Sequence, residues 1–179
     1  MNDPRFPVGK FVWPAEVTAA DRTRFIRTLA ETPALLRRAV AGLSDAQLDT
    51  PYRDGGWTLR QVVHHVPESH MNAYIRFKLA LTEEEPVVKP YNEAAWALLA
   101  DIPLVPPETS LTLVDALHQR WVTLLTTLKE TDWKRTFRHP EIGLVTLENN
   151  LALYDWHSRH HVAHNTSTRQ RLGWDVSPT

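Results

Sequence analysis

The sequence predicts an all-α protein folded as a four-helix bundle. Apolar residues recur at helical spacing in four long stretches, no alternating apolar/polar run of strand length is present, and the connections are of unequal length. The first segment, residues 1–17, holds Pro4, Pro7 and Pro14 and reads as an extended arm laid over the body by Phe6, Phe11 and Trp13. Thr18 caps the first long helix with Asp21 at its third position; Phe25, Ile26, Leu29, Leu36 and Val40 form its stripe, and Gly42 stops it. Pro33 is expected to kink or break it. Ser44 and Gln47 form a capping box for one short turn through Leu48.

Thr58 and Gln61 form a second box, opening a long helix to about Leu81 with a bend expected at Pro67. Asn92 caps a short helix through Ala100, and Pro103, Pro106 and Pro107 mark a crossover loop. Ser110 opens the third long helix, with Leu113, Leu117, Trp121, Leu124, Leu125 and Leu128 as its expected core stripe. Residues 137–145 read as a linker. Thr146 caps the last helix, which runs to about Arg171 and stops at Gly173.

At 179 residues the chain is expected to form a single domain, residues 1–179. A formal net charge of -1 without a basic stripe argues against nucleic acid as a partner. No window reaches the roughly 18 apolar residues of a membrane span, and the N-terminus does not read as a secretory signal, so a cytoplasmic location is expected. There is no cysteine. A zinc site must therefore use histidine and carboxylate, and any thiol must come from a cosubstrate.

Four of the nine histidines lie between His157 and His164 on the last helix. Residues four apart share a helix face, so His157/His161 and His160/His164 are both candidate ligand pairs. Helical projection places Leu147, Leu151, Tyr154, Ser158, His161, Asn165 and Leu172 on one stripe with His157 at its edge. His160 and His164 fall about 100° round. The first pair therefore faces the interior better. On the second long helix His65 lies with Val62, Ser69 and Ala73 on the inward stripe, whereas His64 shares a face with Gln61 and Glu68 and reads as solvent-facing. His65, His157 and His161 would leave one coordination position open, the pattern of catalytic zinc. Such a metal lowers the pKa of bound water to around 7 or holds a thiol deprotonated. Against this stands the common case of a buried histidine that is simply hydrogen-bonded in the core. His118 reads as a solvent-side helix residue and His139 as a loop residue. Trp57, Trp121 and Trp156 read as packing residues.

Several stretches resemble one family closely: Gly55-Gly-Trp57-Thr-Leu-Arg-Gln-Val-Val-His-His65, Ser69-His-Met-Asn-Ala-Tyr-Ile-Arg-Phe-Lys78, Pro90-Tyr-Asn-Glu-Ala-Ala-Trp96, and Trp156-His-Ser-Arg-His-His-Val-Ala-His164. They are similar to the YfiT-like subgroup of the DinB-like superfamily, over about residues 8–174. The resemblance implies an up-down-down-up bundle and a bacterial metal-dependent hydrolase. It implies one divalent metal per subunit, zinc or else nickel, on His65, His157 and His161. It also implies a cytoplasmic homodimer acting on a small-molecule substrate. Relatives in the wider superfamily include thiol S-transferases of the bacillithiol and mycothiol type, so a low-molecular-weight thiol is an alternative cosubstrate. A metal-binding bundle without catalysis, closed by His70 or Glu68 as fourth ligand, is a further alternative. Pro67 departs from the family pattern two residues after His65. Glu68 follows as a candidate general base or a group behind the ligands.

Overall fold

In the computed structural model residues 3–174 are described. Four long helices form: α1 (Ala19–Val40), α3 (Leu59–Thr82), α6 (Pro107–Thr126) and α7 (Leu147–Leu172). Short helices α2 (Asp45–Leu48), α4 (Glu93–Trp96) and α5 (Asp101–Leu104) sit in the connections. The capping boxes at Thr18, Ser44 and Thr58 all form, and Thr146 accepts from the Asn149 N–H at 3.2 Å. Each satisfies backbone donors that a helix start leaves orphaned. Gly173, at φ +67°, ends α7 in the left-handed conformation.

Side-chain contacts fix the direction of each helix. Arg37 near the end of α1 reaches Glu108 at the start of α6, so these two run antiparallel. Arg22 near the start of α1 meets Glu148 at the start of α7, and Arg169 near the end of α7 bonds the carbonyls of Ala39 and Ala41, so α1 and α7 are parallel. His64 and His70 of α3 meet Ser110 and His118 of α6, again a parallel pair. The bundle is therefore up-down-down-up. The parallel neighbours α3 and α6 need a connection that travels back along the bundle, which is the task of residues 83–106 with α4 and α5.

Several expectations are corrected. The short helix capped by Asn92 ends at Trp96 rather than Ala100, and α5 forms around Pro103 where a loop was expected. Helix α6 begins at Pro107, three residues before Ser110; a proline in the first turn gives up only an N–H that would have no helical partner. The expected linker is an antiparallel hairpin, β1 (Thr136–His139) with β2 (Gly143–Thr146), too short to show as an alternating pattern. Helices α1 and α3 continue through Pro33 and Pro67 without a break. On α6 the inward stripe is Leu111, Val114, His118, Trp121 and Leu125, while Leu113 is 42% exposed.

The apolar interior has two bodies. One gathers Phe25, Leu29, Phe77, Trp121, Leu125, Leu147 and Leu151; the other gathers Leu36, Val40, Val63, Val66, Leu111 and Val114. Along α1, α3 and α6 buried polar residues lie between them: Thr32, Ser69 with His70, and His118. The arm covers an outer side of α7, where Trp156 Nε1 donates to the Gly9 carbonyl at 2.9 Å and Phe11 packs 5.8 Å from the Trp156 ring.

Candidate metal centre

Helix α3 delivers His65 two turns in from its capped start, and α7 delivers His157 and His161 one turn apart. Because α3 and α7 are antiparallel neighbours, the three rings converge. One nitrogen from each lies within 4.8 Å of the others, and His65 Nε2 stands 3.2 Å from His157 Nε2. Two imidazole nitrogens held at about 2.0–2.1 Å from one tetrahedral ion stand roughly 3.3–3.4 Å apart, so the observed spacing fits shared coordination. Pro67 has not displaced His65 from this group.

Burial keeps the rings neutral, which is the ligating form. Desolvation takes His65 down to about 4, with the nearby His160 adding to it. Desolvation, then the neighbouring rings, holds His157 and His161 well below the ordinary histidine value. The Trp57 ring packs 4.8 Å from His65. Ser69 Oγ lies 3.3 Å from His157 Nε2 and 3.2 Å from the Tyr154 hydroxyl, which itself donates to the Ser69 carbonyl at 3.0 Å.

The other side of His157 meets two rings in series. His157 Nδ1 is 3.0 Å from His70 Nε2, His70 Nδ1 is 2.7 Å from His118 Nε2, and His118 Nδ1 is 2.6 Å from the Leu29 carbonyl. His118 is 2% exposed, which overturns its reading as a solvent-side residue. The helical stripe had been set by the leucines beside it, and no apolar pattern marks a ring whose partner sits on another helix. His70 stands behind His157 and does not complete the ligand set.

His64 is also buried, at 4% exposure, with Nδ1 2.7 Å from Ser110 Oγ; it faces α6 rather than solvent and stands outside the ligand group. His139 sits on β1, buried, and accepts from the Glu141 N–H at 3.3 Å. Trp121 is a core residue, whereas Trp57 and Trp156 are only half-buried. Glu68 is half-buried, its carboxyl raised by desolvation and secondly by Asp101, and its oxygens are outside the histidine group.

His160 and His164 are buried too and with His161 make a second group of ligand spacing. Trp156 stacks 4.3 Å from His160, and Tyr52 stacks 4.0 Å from His164. That group draws on one helix alone and shares His161, so the two sets compete for one ring. Among the described residues no fourth histidine or carboxylate joins His65, His157 and His161 within mutual ligand distance.

Comparison with known proteins gives a consistent picture. The family model of the DinB superfamily matches residues 28–164. A Bacillus subtilis relative, YfiT, is 51% identical over 94% of this chain and 96% of its own, and is named for a proposed metal-dependent hydrolase activity. A similarly named Bacillus mycoides protein is 51% identical over 97% of this chain and all of its own length. The solved structure of YfiT, described as a probable metal-dependent hydrolase with an unusual four-helix bundle topology, superposes with a TM-score of 0.93, covering 96% of this chain and 99% of that one. A second four-helix bundle, TT2238, shares the fold at TM-score 0.54 and 18% identity. With this helix order, this histidine arrangement and these relatives, the chain belongs to the DinB superfamily, beside the YfiT proteins.

Proposed function

We propose that the chain is a metal-dependent hydrolase whose divalent ion, zinc or alternatively nickel, is held by His65, His157 and His161, one ion per subunit. The observation that carries this is the convergence of three neutral imidazoles from two helices, with no fourth protein ligand among the described residues. Structural zinc sites are closed by four protein ligands; three leave a position for water or substrate. Bound there, a divalent ion supplies Lewis acidity, making water or a thiol a nucleophile near neutral pH and stabilising charge on a carbonyl-type oxygen.

The chain's own groups supply the rest. Each neutral imidazole has one unprotonated nitrogen to offer an ion. Ser69 Oγ, beside His157 Nε2 and the Tyr154 hydroxyl, orients a polar group at the open position. Glu68, three residues on from His65 along α3, is the proposed general base and would take the proton from the incoming nucleophile. Trp57 packs against His65 on one side of the site. The substrate is a small molecule, and the working form is a cytoplasmic homodimer. No helix among the described residues is long and apolar enough to cross a membrane.

The test begins with elemental analysis of protein purified without a histidine tag. The wild type is expected to carry about one divalent ion per chain and His161→Ala none, with unchanged helical circular dichroism. Ester and amide panels are then run beside a bacillithiol or mycothiol assay with a model electrophile. Turnover in the first, lowered on the order of 10²–10⁴-fold by Glu68→Gln without loss of metal, supports hydrolysis. Turnover only with thiol replaces it with S-transfer, and a chain free of metal removes both.

A further inference from the structure

The line of rings behind His157 has a direction, and that direction starts at a proline. In an α-helix the carbonyl of residue 29 accepts from the N–H of residue 33. Residue 33 is Pro33, inside α1 and without an N–H, so the Leu29 carbonyl is left free of its helical donor. Its oxygen lies 2.6 Å from His118 Nδ1. A carbonyl oxygen only accepts, so His118 Nδ1 carries the proton.

His118 is neutral, since desolvation takes it down to about 4, and a neutral imidazole holds one proton. Its Nε2 is therefore a lone pair, and His70 Nδ1, 2.7 Å away, must donate to it. His70 is fully buried, and among the described residues its two nitrogens meet only the rings of His118 and His157, with no carboxylate to balance a charge, so it too holds one proton and its Nε2 accepts. His157 Nδ1, 3.0 Å away, must then be the donor. The remaining nitrogen of His157, Nε2, is then unprotonated, with His65 Nε2 at 3.2 Å and Ser69 Oγ at 3.3 Å. Each step leaves a single assignment, because reversing any ring would set two protons or two lone pairs against each other.

We infer that His118 and His70 are positioning residues for the metal centre: the carbonyl freed by Pro33 locks His118, His70 and His157 in series as Nδ1–H tautomers and aims the unprotonated Nε2 of His157 at the ion. The purpose rests on the metal reading above. The tautomer itself belongs to the metal-free chain and is tested apart from it. Partners that fix a ligating histidine's tautomer typically alter metal affinity by about 10–100-fold when removed.

Long-range proton–nitrogen correlation spectra of the metal-free wild type at neutral pH read the tautomers directly. Nδ1–H at all three rings is expected; a proton on Nε2 of His157 overturns the inference. His118→Phe keeps a ring of similar shape but removes the acceptor for His70. It is expected to mix the His70 and His157 tautomers and to weaken zinc binding about 10–100-fold in a chelator competition. Unchanged tautomers in that variant overturn the inference. Pro33→Ala keeps all three rings and returns a competing N–H to the Leu29 carbonyl. Partial loss of the His118 Nδ1–H form is expected, and an unaltered spectrum counts against the proline's part. A wild type with the expected tautomers that takes up no metal upholds the relay and removes the metal centre.

Discussion

At the level of Trp121 the long helices meet through carbon; one turn away, at the level of His118, they meet through nitrogen. The Trp121 layer, with Phe77, Leu125, Leu147 and Leu151, is almost entirely sealed and apolar, apart from the Trp121 Nε1, which is buried without a partner. The His118 layer is equally dry, yet every group in it requires a partner and desolvation makes each ring harder to protonate than it is in water. The first layer stabilises the bundle by area removed from water. The second costs stability wherever a proton is wanted, and in exchange fixes the orientation of a ligand. The two layers share helices, so the difference lies in side chains rather than in backbone.

The largest effect should come from the carbon layer. Trp121→Ala is expected to lower the unfolding free energy by about 3–5 kcal/mol in a denaturant titration, as for other buried large-to-small changes. The folded fraction should still bind zinc. Loss of zinc binding equal to the loss of fold-independent affinity in the ligand variants would mean that the layers are not separable.

Acid should attack the other layer. A buried histidine lowered to about 4 binds its proton later in the folded chain than in the unfolded one. The unfolded state therefore holds more protons between about pH 6.5 and 4, and stability falls as pH drops through that window. Each such ring contributes a slope of about 1.4 kcal/mol per pH unit. Metal-free wild type compared at pH 7 and pH 5 should show this fall, and His118→Phe should remove about one proton's worth of slope. A flat wild-type profile would show that these rings titrate normally.

The smallest effect is expected at the edge of the site. Thr58→Ala removes the cap of the helix carrying His65 and should cost about 1 kcal/mol with little change in zinc affinity. A large affinity loss would mean that His65 depends on the helix start rather than on the packing around it.

The helix starts were legible because Thr18, Ser44, Thr58 and Thr146 satisfy their own backbones locally, and local chemistry is written in adjacent residues. The convergence of His65, His157 and His161 was legible because their periodicity pointed them inward. The misreadings share a cause. His118 and His64 were assigned from their own helix, whereas their burial comes from α1, α3 and α6 together. His160 and His164 looked outward because the face they occupy is covered by the arm and by Tyr52, far away in sequence. Pro33 read as a flaw in α1, and its consequence depends on a ring 85 positions later in the chain.

The arm has a practical consequence at the bench. Phe6 lies 6.3 Å from the His160 ring, and the backbone of Pro4 and Arg5 faces His164. Whatever is fused ahead of residue 3 is thus tethered within a few residues of spare imidazoles on α7. A polyhistidine leader placed there would bring its own chelating side chains to the same corner and inflate the apparent stoichiometry. A cleaved tag is the sound choice for counting ions in this protein.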